Sequence, residues 1–382
     1  MKITNLKLYY FITSFNNLWF ITSSWLFYWL KFMTIKDVGI IDSLAFFIGI
    51  MFEFPSGIIS DKLGRKLTLT LSQAFQFAGS LIITLATTGF QIGLGFIIFQ
   101  LGVALFSGTI ESFGYEASVQ AKEDYDKVLI KASSISTFSY LISLLIGGYF
   151  YTVNNNLPNI MWTANYLFAF LFSVLIINIP KVASSEDAKK GYLSLLNSLN
   201  FKTISYLLFF LSVCFAFDYG FLKLVLLDKF SDVSNNYIYI VLGSLLGMGF
   251  SNYLIGKNWD LLKTLRFGYL SLSTLFLVSY FWNQLEIVTF FVFSFLVIFS
   301  NQLFLKYINV KVSDGERAGV ISFFSFIYKF PYVILALFLG LSLQSQDISV
   351  SIWYMGVTMV AAYVLVKIGA KLRYNSLFDK GA

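Results

Sequence analysis

A decapeptide dense in charge and glycine, Gly57-Ile58-Ile59-Ser60-Asp61-Lys62-Leu63-Gly64-Arg65-Lys66, joins two apolar runs, Val38 to Ile59 and Leu67 to Ala86. Each run has the ~20 residues that cross a hydrocarbon core as a helix. The decapeptide is therefore constrained to be a turn at a membrane edge. The same alternation of long apolar runs and short polar breaks continues along the chain, which is 57% hydrophobic and only 12% charged, with a mean hydropathy of +0.74. Such values exclude an ordinary soluble domain. A transmembrane barrel would show alternating segments of ~10 residues, and these runs are continuous and twice as long. The fold class expected is an all-α membrane protein.

The apolar runs predict helices at 9–30, 38–60, 67–87, 92–118, 128–152 and 159–180. A second set follows at 203–227, 235–256, 262–282, 287–309, 319–343 and 350–371. The first run lacks a small-residue cleavage site and reads as an uncleaved helix. With both termini on one side, 21 of the 27 basic residues fall on that side. Lys31, Lys36 and Lys229 fall on the other, and Lys223, Lys306 and Lys329 within helices. The positive-inside rule makes the first side cytoplasmic and supports the count of twelve, because one missed span would scramble the partition. The longest polar interruption, Lys181 to Lys202, divides the chain into an N-terminal half (1–180), a cytoplasmic linker (181–202) and a C-terminal half (203–382). Its distal part, Tyr192 to Leu199, is either a surface helix or a flexible tether. The exit from Tyr115 through Glu123-Asp124-Tyr125-Asp126-Lys127 and that from Tyr307 through Ser313-Asp314-Gly315-Glu316-Arg317 match in place and character, a weak repeat of the kind that relates transporter halves.

Several functions are excluded early. There is no histidine and one cysteine, Cys214, which rules out a Cys/His zinc site, an internal disulfide and a histidine proton relay. No GxxxxGK[ST] phosphate loop occurs. An enzyme would need a concentrated set of acids or histidine at one membrane edge, so none is expected, and neither cofactor nor metal is implied. The net charge of +7 is accounted for by topology rather than by a nucleic-acid partner.

The decapeptide resembles the signature loop of the major facilitator superfamily. Its pattern is Gly, three residues, Asp, a basic residue, one residue, Gly, Arg and a basic residue, and Gly57, Asp61, Lys62, Gly64, Arg65 and Lys66 fill every slot. The resemblance implies two pseudo-symmetric six-helix halves and a multi-pass protein of the cell membrane, expected to act as a monomer. It also implies a cytoplasmic gate in which Asp61 faces the N-terminus of the eleventh helix near Gly319. Arg65 is then expected to pair with Glu116 at the inner end of the fourth helix. Gly64 suits a positive φ. Drug/proton antiporters of the superfamily commonly have an arginine within helix four and a Gly-Pro pair in helix five. Here helix four has Gln100 and helix five only Gly147-Gly148, so proton coupling does not carry over from those motifs.

Ionisable groups at membrane depth are costly unless they face a cavity or a partner. Asp42, Glu53, Glu111, Asp218, Lys223, Lys306 and Lys329 are such groups. Glu111 has no cation at i±3 or i±4 and is either a residue of proton coupling or substrate binding or the maker of a structural hydrogen bond. Glu53 serves either the gate or the coupling machinery. Asp218 and Lys329, at equal depth, suit a buried ion pair, while Lys223 and Lys306 are placed to snorkel. Asn16, Asn17 and Trp19, Gln100, and Asn301 and Gln302 add neutral polar groups to the helices that the resemblance places around a central cavity. Gly243, Gly247 and Gly249 suit helix packing. The expected function is secondary active transport by alternating access. The cargo is a hydrophobic or amphiphilic small molecule, exported with protons as the candidate counter-ion; the alternative is nutrient uptake by symport.

Overall fold

The structure is a computed structural model. It describes residues 4–178, 235–256, 261–279, 287–292, 294–299 and 314–345, together with single positions among 208–227, at 281 and among 350–364. Among the described residues every regular element is a helix. These are α1 (Asn5–Asn16), α2 (Trp25–Trp29), α3 (Ile35–Leu63), α4 (Arg65–Thr84), α5 (Gly89–Ala121), α6 (Tyr125–Val153), α7 (Leu157–Val174), α8 (Asn236–Gly256), α9 (Leu261–Ser279) and α10 (Asp314–Ser345). Residues 287–292 and 294–299 are also helical. Among the described residues, five spans are long and apolar enough to cross a membrane: Arg65–Thr84, Gly89–Ala121, Lys127–Val153, Leu157–Val174 and Ile327–Ser345. The chain divides into two compact units. One comprises Met1–Ser184, Ser231–Val241 and Val333–Leu341, the other Ser185–Phe230, Leu242–Tyr332 and Ser342–Ala382.

In the first unit, α4 packs chiefly on α5, and small residues bring the two backbones together. A Cβ on Gly79 would lie 2.5 Å from the Gly95 carbonyl oxygen, and one on Gly102 2.7 Å from that of Ser72. Ser72 Oγ donates to the Gly102 carbonyl at 2.8 Å. Without a hydrophobic force between helices in lipid, such close approach and buried hydrogen bonding hold the pair. Tyr9, Ile12, Leu69, Phe113, Val128 and Ile176 form part of a fully buried core that joins α1 to its neighbours. At the other end of the unit, helices of distant sequence also meet closely. A Cβ on Gly39 would stand 2.7 Å from Gly340 Cα, one on Gly148 would enter the ring of Tyr237 at 2.0 Å, and Ser43 Oγ donates to the Val333 carbonyl at 2.6 Å.

The first predicted helix, 9–30, is not continuous. It is α1, a non-helical stretch from Asn17 to Ser24, and α2. The cause is local competition for carbonyls. Asn16 Nδ2 donates to the Ile12 carbonyl at 2.9 Å and Asn17 Nδ2 to that of Thr13 at 2.8 Å, the back-bonding by which asparagine offers the chain an alternative to helix. The backbone then tightens to i→i−3 bonds, Asn17 N to Ser14 O and Leu18 N to Phe15 O. Phe20, Ile21, Ser23 and Ser24 are buried, as non-helical backbone at membrane depth must be. The sixth predicted helix, 159–180, ends at Val174, and Ile177, outside it, is held at both its N–H and its carbonyl by the amide of Asn5.

In the second unit, a Cβ on Gly243 would lie 2.9 Å from Ser294 Oγ and one on Gly247 2.8 Å from Ile298, whereas Gly249 meets nothing within 4 Å. Two of the three glycines expected to pack thus do so. Helix α10 runs through Pro331.

Candidate functional site

The signature turn is a single residue. Gly64 closes α3 and opens α4 with φ 86° and ψ 155°, a region essentially confined to glycine, where a side chain costs about 1–3 kcal/mol. It swings Arg65 back against α5 and α3. Arg65 Nε donates to Glu116 Oε1 at 3.1 Å, and its Nη1 to Ser60 Oγ at 2.7 Å. The Arg65–Glu116 pairing expected from the resemblance is present. Both side chains are largely shielded, at 19% and 6% exposure. Removing Arg65 would leave a carboxylate buried without its cation. Arg65→Ala is expected to destabilise the protein by about 3 kcal/mol, the low end of the range for a broken buried pair because the arginine keeps some solvent; thermal unfolding in detergent measures it. Lys62 is exposed and Lys66 half-buried. Gly57 and Asp61 lie within the last turns of α3, and the Asp61 side chain is outside the described residues.

A second group of polar side chains lies around the break in the first helix. Asn16 and Gln73 exchange amide bonds, Nδ2 to Oε1 at 3.1 Å and Nε2 to Oδ1 at 3.4 Å. Asn17 Nδ2 reaches Ser136 Oγ at 3.2 Å, and the Ser14 and Ser139 hydroxyls meet at 2.7 Å. Asn165 Nδ2 donates to the Phe15 carbonyl at 2.7 Å, and Trp19 Nε1 to that of Asn16 at 2.8 Å. Trp19 contacts Phe99 and Trp162, and Phe99 packs on Trp162 and Tyr166. These residues are an amphiphilic layer of the first unit, with amides and hydroxyls beside rings that meet edge-on or tilted. Asn16 and Asn17 are in it; Gln73 and Asn165 were not among the sequence candidates. The four-residue spacing of Ser72, Gln76, Ser80 and Thr84 on an apolar run is the signal that marks the polar face of α4, and all four are buried.

The acids fall elsewhere. Glu53 on α3 is half-buried and accepts a long bond from Ser107 Oγ at 3.5 Å. Glu111, one turn further along α5, is half-buried with no hydrogen bond or ion pair among the described residues. Tyr9, whose ring covers Gly114, lies within electrostatic range of it. Asp42 is buried on α3 next to Ser43, and Gln100 is buried against Gly49. Lys329 is half-buried on α10. Asp218, Gln302, Asn301, Lys223 and Lys306 lie outside the described residues, and with them the expected Asp218–Lys329 pair. Among the described residues no group of three or more His, Cys, Asp or Glu could hold a metal.

Comparison with known proteins bears on the whole chain. It is 22% identical over 168 residues to the uncharacterized MFS-type transporter YxaM of Bacillus subtilis (strain 168), covering 43% of this chain and 42% of that protein. It is 25% identical over 176 residues to the quinolone resistance protein NorA of Staphylococcus aureus (strain MRSA252), covering 44% and 43%. The chain thus matches less than half the length of either relative. A crystal structure of a POT family transporter in complex with 5-aminolevulinic acid superposes with a TM-score of 0.72 at 11% identity, over 96% of both chains. The sequence profile of the Major Facilitator Superfamily matches residues 8–336. The described residues form a helical fold like that neighbour's, and the profile match over residues 8–336 makes this chain a member of the Major Facilitator Superfamily.

Proposed function

We propose that the protein exports a hydrophobic or amphiphilic small molecule by alternating access, in exchange for protons, with Glu111 as the coupling carboxyl. The observation that carries the reading is the state of Glu111, an acid about two thirds of the way along the membrane-spanning helix Gly89–Ala121 with no hydrogen bond or ion pair among the described residues. A carboxyl held there at a cost has a use when it loads and releases a proton. The export direction is supported by the partial similarity to a quinolone resistance protein, since a transporter confers resistance by removing the compound. The edge-on rings of Trp19 and Phe99 beside the amides of Asn16 and Gln73 suit a cargo with both apolar and polar parts.

In this reading the halves 1–180 and 203–382, joined by 181–202, rock about a midplane site. Gly57, Asp61, Lys62, Gly64, Arg65, Lys66 and Glu116 form the cytoplasmic latch, with both termini on that side. The test uses the full chain in liposomes with an imposed pH gradient and a quinolone or a fluorescent lipophilic cation as probe. Probe movement against the direction of proton flow is expected. Movement in the same direction as the protons would overturn export in favour of symport.

A further inference from the structure

At the end of α3 opposite the Gly64 turn, the chain entering α3 and the start of α5 enclose a groove of about 370 Å³. Its floor is Phe32, Met33, Ile41 and Gly89. Gly89 is where the two segments touch, since a Cβ there would lie 3.1 Å from Met33 Cβ and 3.2 Å from the Phe32 carbonyl oxygen. From this floor two ridges of exposed apolar side chains run toward the middle of the membrane, Ile40, Leu44 and Phe47 on α3 and Phe90 and Leu94 on α5.

The mouth is charged. Asp37 lines it, with Lys36 adjacent in the chain and Lys31 just ahead of Phe32. The Asp37 carboxylate is fixed in place: its Oδ2 accepts from Thr34 N at 3.1 Å and Thr34 Oγ1 at 2.7 Å, while its own N–H donates back to Thr34 Oγ1. Oδ1 carries no hydrogen bond among the described residues. A carboxylate beside lysines at headgroup depth, opening onto apolar ridges that lead into hydrocarbon, matches a molecule with an ammonium, a phosphate and a long apolar tail. A soluble solute would leave the ridges uncovered, and a purely apolar one would leave the rim charges unanswered.

We propose that this groove binds one phospholipid with a protonated amine headgroup from the leaflet opposite the Gly64 turn, its ammonium on Asp37, its phosphate on Lys36 and one acyl chain between the α3 and α5 ridges. The site is separate from the transport reading, and its test does not depend on cargo. The intact protein is reconstituted with equal amounts of phosphatidylethanolamine and phosphatidylcholine, extracted in mild detergent and weighed by native mass spectrometry. A one-to-one phosphatidylethanolamine adduct is expected, with phosphatidylcholine retained about tenfold less because its methylated ammonium cannot donate hydrogen bonds. Asp37→Asn should bring the two lipids to the same level. Ile40→Trp, which fills the mouth from an exposed position and leaves the Thr34–Asp37 cap intact, should remove both, with the melting temperature confirming a folded protein. Equal retention of the two lipids by the wild type, or a phosphatidylethanolamine adduct that survives both substitutions, would show ordinary annular lipid and overturn the site.

Discussion

Glu111→Gln is expected to remove pH-gradient-driven transport, by about tenfold or more, while the melting temperature holds or rises. The substitution is isosteric and takes away only the ability to ionise. Because Glu111 makes no ion pair or hydrogen bond among the described residues, no partner is stranded, so the usual penalty for breaking a buried contact does not arise. Burial of an ionisable group at that depth is itself destabilising, and the amide relieves it. Activity and stability should therefore move in opposite directions, a signature that a merely structural glutamate would not give. An unchanged dependence of transport on the pH gradient in this variant would remove Glu111 from the mechanism.

A comparably large loss should follow Gly39→Trp. A single carbon added at Gly39 already falls 2.6 Å from the Ala336 carbonyl oxygen and 2.7 Å from Gly340 Cα, distances that no rotamer change relieves because the obstacles are backbone. An indole forces α3 and the 333–341 stretch of α10 apart and breaks the Ser43–Val333 bond with them. In a static core such overpacking costs about 1–3 kcal/mol or more and lowers the melting point. In the alternating-access reading proposed above, this contact opens in each cycle and the same side chain would hold it open, so transport falls by about tenfold or more in a protein that still melts cooperatively near the wild-type temperature. Transport together with thermal unfolding separates the two. Gly39→Ala should give a graded version, since one methyl can be met by a small shift.

The residues that were legible in the sequence are those whose partners are local or whose chemistry admits few residue types. Gly64 could be read because its backbone conformation is nearly closed to other residues. The Arg65–Glu116 pair followed from the resemblance, which supplies a partner 51 positions away. Helix positions among the described residues followed largely from hydropathy, which tracks burial in lipid, while the expected helices at 203–227 and 350–371 lie almost wholly outside those residues. The break between Asn17 and Ser24 did not, because Trp, Phe, Ile and Thr keep the hydropathy of the run unchanged there. The carbonyls the break exposes are answered by Asn165 of α7 and by Trp19. Hydropathy counts how apolar a segment is, not which carbonyls lack a donor. For the same reason the polar face of α4 was hidden: Gln73 and Gln76 are diluted by the leucines and isoleucines around them. The groove beside Asp37 comes from two segments about fifty residues apart, and no one-dimensional pattern marks where they enclose space.

The broken first helix also bears on how this protein is made. The amide of Asn5 is committed to Ile177, 172 residues later, and the Phe15 carbonyl to Asn165, 150 residues later. When residues 1–30 leave the ribosome, none of these partners exists. The segment must enter the bilayer with its backbone bonded in some other way, of which an unbroken helix is the simplest, and exchange those bonds once α7 arrives. At about 5–20 residues per second, the interval is on the order of ten seconds or more. Asn5 and the Phe15 carbonyl thus reach their final bonding only after residues 165–177 have been made.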